Sequence, residues 1–170
     1  MSVDARHYEQ ASLREEYTEY VFLGRLCQAA WVQGRSMEVL RSATDAFGYD
    51  LVLSSGGVDR HVQLKTTKVG GKRSRITVNR TLAEKASGCV VWLSVHPDRL
   101  DIRTIRWAGR APGKRLALPD RILRHTKGDR TGHKAARPNM TYLNKGEFEE
   151  LDDIDRVLDR LFGPTHISYS

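Results

Sequence analysis

The feature that most restricts the fold is a glycine pair between two short β-type runs. Tyr49-Asp50-Leu51-Val52-Leu53 leads into Ser54-Ser55-Gly56-Gly57-Val58, and His61-Val62-Gln63-Leu64-Lys65 follows. Two adjacent glycines supply the positive backbone angles of a two-residue hairpin turn, whose twist matches the strands it joins. With Gly56 and Gly57 as that turn, Ser55 pairs with Val58, and counting outward brings Asp50 opposite Gln63. Side chains alternate along a strand, so Val62 and Leu64 share the core side with Leu51 and Leu53. Asp50, Gln63 and Lys65 share the other side. The chain is thereby committed to a hairpin with one apolar face and one face carrying a carboxylate, an amide and an ammonium group.

The remaining pattern predicts a mixed α/β architecture in a single domain. A long helix is expected from about Arg6 to Gln33, with Leu13, Tyr17, Tyr20, Gly24, Cys27 and Trp31 recurring at three- and four-residue steps as its core stripe. Met37 to Leu40, Arg75 to Val78, Cys89 to Val95 and Leu100 to Trp107 read as further strands, and Thr81 to Ala86 as a short helix. The core of the domain falls at about 15–107. Residues 109–141 are basic, carry Gly109, Pro112, Gly113, Pro119, Gly128, Gly132 and Pro138, and read mostly as loop. Asn144 with Glu147 three residues on is a capping signal for a last helix, about 145–162, with Phe148, Leu151, Ile154, Leu158 and Leu161 as its stripe.

Charge is segregated along the chain, and clustered charge acts on partners where dispersed charge only solvates. Residues 1–59 hold 5 basic and 9 acidic side chains, residues 60–137 hold 20 and 5, and residues 138–170 hold 3 and 7. A middle section of net +15 between two acidic ends suits the phosphate backbone of a nucleic acid. Lys68, Lys72, Arg73 and Arg75, just past the hairpin, are the expected phosphate contacts, with His125 and Lys127 further along. Two cysteines, Cys27 and Cys89, read as reduced packing residues rather than a disulfide framework. Apolar runs reach only about five residues, so no membrane segment or signal peptide is expected and the reading is cytoplasmic. The Walker spacing is absent around Gly70-Gly71-Lys72, and no histidine–cysteine spacing suggests zinc. Trp31, Trp92 and Trp107 are expected in the core.

The polar hairpin face suits metal-assisted phosphodiester hydrolysis. Mg²⁺ takes hard oxygen ligands and keeps several waters, so Asp50, the Gln63 amide oxygen and the Leu64 carbonyl form a partial shell. A bound metal polarises a phosphate oxygen and lowers the pKa of water, while Lys65 would stabilise developing negative charge.

A helix bearing glutamates, then Gly48-Tyr49-Asp50-Leu51-Val52-Leu53, then Val62-Gln63-Leu64-Lys65, resembles the PD-(D/E)XK nuclease superfamily in its Gln-x-Lys variant, as in Mrr-like restriction enzymes. The resemblance spans roughly residues 15–95. It implies a restriction endonuclease-like core, a mixed central β-sheet flanked by helices. It implies further that Asp50 binds metal, that Gln63 replaces the usual acidic ligand and that Lys65 is catalytic, with Mg²⁺ or Mn²⁺ as cofactor and DNA before RNA as substrate. The family's helix glutamate corresponds to Glu19 by local spacing. Helical-wheel geometry favours Glu16 instead. Glutamine in place of an acid removes one negative charge from the metal site, so the alternative is a non-cleaving nucleic-acid-binding module of the same fold. A single site cuts one strand, and duplex cleavage would call for a homodimer.

Overall fold

The computed structural model describes residues 10–124 and 135–165. His125 and Lys127 therefore lie outside the described residues. In chain order the elements are α1 (Ala11–Val32), β1 (Glu38–Arg41), β2 (Leu51–Ser55), β3 (Val58–Lys68), β4 (Arg75–Asn79), β5 (Gly88–Val95), β6 (Ile102–Ala108), β7 (Met140–Asn144), β8 (Glu149–Leu151) and α2 (Ile154–Phe162). Short 3₁₀ turns occupy Asp45–Phe47, Arg80–Glu84 and Lys145–Glu147. Arg80–Glu84 stands where a short helix over Thr81 to Ala86 is predicted. Its start is set by Asn79, whose side chain accepts from the Thr81 N–H.

Six strands form one sheet in the order β1-β2-β3-β5-β6-β8, and β4 pairs with β7 in a separate antiparallel ribbon. The hairpin forms in the predicted register, with Ser55 opposite Val58 and Leu51 opposite Val62. Gly56 and Gly57 both hold positive φ, 58° and 77°, as a twist-matched two-residue turn requires. β3 then runs parallel to β5, while the other pairings in the sheet are antiparallel, which makes the sheet mixed.

Strand β5 explains the layering. Cys89, Val91, Leu93 and Val95 face a core shared with α1 and α2, while Val90 and Trp92 face a second core with Ile76, Val78 and Leu143 of the ribbon. A strand buried on both faces reads as a continuous apolar run, as Cys89 to Leu93 does. Both described helices lie on one face, where they pack against each other as well as the sheet. The opposite face is covered by the β4–β7 ribbon rather than by a helix.

The long helix forms, but its inward face is not the predicted one. Thr18, Phe22, Leu23, Leu26, Ala29 and Ala30 are buried, whereas Leu13, Tyr17, Tyr20, Cys27 and Trp31 are exposed. Two apolar stripes lie on nearly opposite sides of this helix, and periodicity cannot say which one the sheet takes. Trp31 is thus a surface residue at 85% exposure, while Trp92 and Trp107 are core. Cys27 is likewise exposed, and Cys89 is the packing residue, its thiol pushed up to about 12 by burial.

The C-terminal helix begins at Ile154, not near residue 145. The Asn144–Glu147 capping box is present, but it closes a 3₁₀ turn that ends at Phe148. Leu151 then pairs with Ile105 at the sheet edge, which holds Glu149–Leu151 extended. Asp153 caps the true helix, its Oδ1 accepting from the Arg156 N–H at 2.8 Å. Within the segment read as loop, Leu116 is buried in the second core, Arg124 bridges Ala136, and β7 begins at Met140. Arg60, fully buried, ties β3 to the end of α2 through the carbonyls of Leu161 and Arg160. No described helix is long and apolar enough to cross a membrane.

Candidate functional site

β2 ends at Leu51, one residue short of Asp50, while β3 runs on to Lys68. The Asp50 N–H still donates to the Val62 carbonyl at 2.8 Å, and β2 goes no further along β3. The Asp50 carboxylate takes over, its Oδ2 accepting from the Leu64 N–H at 2.6 Å. Within a strand, a residue's N–H and C=O leave on the same edge, so the Leu64 carbonyl projects beside the Asp50 carboxylate. Gly48 sets the approach. It holds φ at +74°, and a Cβ there would come within 2.8 Å of the Asn79 Cβ, so only glycine lets this segment close on the ribbon.

A cleft of about 640 Å³ opens at this point. Its floor is Asp50, Gln63, Leu64 and Lys65 from the hairpin, and α1 supplies Glu15, Glu16 and Glu19. Thr77, Asn79 and Met140 come from the ribbon, with Arg137 and Arg73 on the basic side. Gln63 is 6% exposed, and its Oε1 is buried with no hydrogen-bond partner. A buried amide oxygen left unpaired costs about 1–3 kcal/mol. The nearby candidate ligands are oxygens, the Asp50 and Glu19 carboxylates, the Gln63 amide and the Leu64 carbonyl, a set that suits a hard cation. Among the described residues no group of three or more His, Cys, Asp or Glu side chains is placed to hold a metal, so such a site depends on the amide and the main chain.

Glu19 is the helix glutamate turned most toward this floor. Burial raises its pKa above the ordinary value, the Asp50 and Glu16 carboxylates add repulsion, and Arg41 opposes the rise. Arg41 donates to Glu19 at 2.7 Å, a contact that the sequence does not signal because β1 brings it from 22 residues away. Glu16 instead accepts from the Tyr20 hydroxyl at 2.8 Å.

The predicted phosphate contacts divide. Arg73 lies between this cleft and a smaller neighbouring one, about 280 Å³, which is lined by Lys68, Gly70, Gly71, Arg106 and Lys145. Lys72 is exposed on the same loop. Arg75 sits with its guanidinium 4.5 Å from the Tyr142 ring centre and lines neither cleft. Arg137, Arg106 and Lys145 come to this surface through the ribbon and β6. Isolated basic residues of that kind carry no local sequence signal. Another cavity, about 710 Å³, lies elsewhere, between Trp107, Leu116 and the Glu149–Arg160 ion pair. No protein-family model matches the chain, and no curated protein matches it in sequence.

Proposed function

We propose that the protein is a metal-dependent nuclease of the PD-(D/E)XK type, with a restriction endonuclease-like core, that hydrolyses phosphodiester bonds, DNA before RNA. The observation that carries this reading is the buried, unpartnered Oε1 of Gln63, a residue that lines a cleft together with Asp50, Glu19 and Lys65. Asp50, Gln63, the Leu64 carbonyl and Glu19 would hold Mg²⁺ or Mn²⁺. When bound, the ion supplies Lewis-acid polarisation of a phosphate oxygen and a more acidic water. The Leu64 N–H fixes one Asp50 oxygen and so orients the carboxylate across the cleft. Lys65, two residues along the same face as Gln63, offers an ammonium to the charge that develops on the phosphate. Arg73, Lys68 and the exposed Lys72 would hold the flanking backbone through sequence-independent attraction.

The test is incubation of supercoiled plasmid and single-stranded DNA with Mg²⁺ or Mn²⁺, beside Asp50→Ala and Lys65→Ala. Metal-dependent cleavage by the wild type that each variant abolishes supports the reading. Equal cleavage by all three proteins, or salt-sensitive binding by all three with no cleavage, overturns it. The second outcome identifies the non-cleaving binding module that the neutral Gln63 ligand favours.

A further inference from the structure

We propose that α1 is a dimerisation helix, which pairs antiparallel with α1 of a second copy of this chain along its solvent face. Leu13, Tyr17, Tyr20, Gly24, Cys27 and Trp31 follow one another at steps of four, three, four, three and four, the seam spacing of paired helices. This seam is turned about 160° from the centre of the buried face, taking 100° per residue. Leu13 is 39% exposed, Tyr17 49%, Tyr20 45% and Trp31 85%. Nothing lies within 4 Å of a Cβ built on Gly24. The inference holds whether or not the cleft cleaves phosphodiesters, since none of the six seam residues lines it.

Three features select a second copy as the occupant. The step pattern is the same in both directions about Phe22, so an antiparallel copy matches residue for residue: Leu13 meets Trp31, Tyr17 meets Cys27 and Tyr20 meets Gly24. Each layer sets a larger side chain against a smaller one, and an isologous two-fold contact needs this self-complementarity. A parallel copy would instead set Trp31 on Trp31 and leave Gly24 opposite Gly24. The helix dipoles make the same choice. Antiparallel pairing opposes them, where parallel pairing would align them. Area agrees with a concentration-dependent dimer. With Tyr17 and Tyr20 about half exposed and Trp31 85% exposed, rings of ~150–250 Å² each, with Leu13 beside them, offer roughly 900 Å² over two protomers, in the range of transient interfaces. Tyr20 is already fixed by its bond to Glu16 and by Arg41 over its ring, which lowers the entropy cost of docking.

Sedimentation velocity of the full chain from about 1 to 100 μM tests the pairing. A concentration-dependent dimer is expected, and Trp31→Glu and Tyr17→Glu should each return it to monomer with unchanged far-UV circular dichroism. Register is read by oxidation with diamide. Tyr17→Cys should form a reducible disulfide-linked dimer with native Cys27. Wild type should not, because antiparallel pairing separates the two Cys27 residues by about 15 Å along the axis, beyond disulfide reach. A protein that stays monomeric at 100 μM, or a dimer that survives Trp31→Glu, overturns the proposal. So does a Cys27–Cys27 bridge in the wild type, which marks parallel pairing, or a dimeric Tyr17→Cys that fails to crosslink.

Discussion

Replacing Gln63 by Met separates what this residue costs the fold from what it gives the cleft. Methionine has similar length and volume but no amide, so the substitution removes a buried Oε1 that has no partner. Relief of an unpaired buried carbonyl is worth about 1–3 kcal/mol. In a chain of this size each kcal/mol moves the thermal midpoint by roughly 2–4 °C, so Gln63→Met should melt roughly 2–12 °C above wild type in EDTA. Added Mg²⁺ should reverse the order of gains. A ligand at a hundred times its Kd stabilises the folded state by about 2.7 kcal/mol, and the wild type receives this while the variant, one oxygen ligand short, receives far less. Differential scanning fluorimetry in EDTA and over a Mg²⁺ titration measures both quantities on the same two proteins. A variant that melts below wild type in EDTA would show that Oε1 is satisfied in solution. A variant that gains as much from Mg²⁺ as wild type does would remove Gln63 from the cation site.

Three further predictions follow from particular contacts. Gln63→Glu places an unpaired carboxylate where the amide is buried, so it should melt below wild type in EDTA and gain more than wild type from Mg²⁺, in the same assay. Burial holds Glu19 above its ordinary pKa of 4.5, so the folded state binds that proton more tightly than the unfolded chain does. Its contribution to stability is fully present below the unfolded pKa and is lost as pH rises through the folded value. Glu19→Gln should therefore flatten the fall of the thermal midpoint over that rise, and an equally steep fall in the variant would refute the assignment. Arg60→Met keeps the stem of a fully buried side chain but strips the carbonyls of Arg110, Arg160 and Leu161 of their donor. It should cost on the order of 3 kcal/mol, seen in urea as a lower midpoint with unchanged slope.

The hairpin was legible because its information is local. Two glycines fix a turn, the turn fixes the register, and the register alone puts Asp50, Gln63 and Lys65 on one face, as the Leu51–Val62 pairing bears out. The strand Gly88–Val95 was legible for a related reason, since an apolar run with no alternation marks a strand buried on both faces. The C-terminal region was misread because a capping box stabilises any turn that can use it, and only pairing of Leu151 with Ile105 decides that the next residues are extended. Arg41, which pairs with Glu19, and Arg137, which lines the cleft, carry no local signal because the strand and loop that hold them join the site through tertiary contacts.

The sequence by itself determined the order of elements from α1 to β6, the hairpin register and the segregation of charge, because each follows from spacing along the chain. Only the tertiary structure decided which side of α1 faces the sheet. Both sides of that helix are apolar enough to be buried, and the choice is made by what the sheet can accommodate: Phe22, Leu26, Ala29 and Ala30 fit against the core, while Tyr17, Tyr20 and Trp31 remain in solvent. The same choice turns Glu19 toward Asp50 and leaves the other stripe open to a second copy.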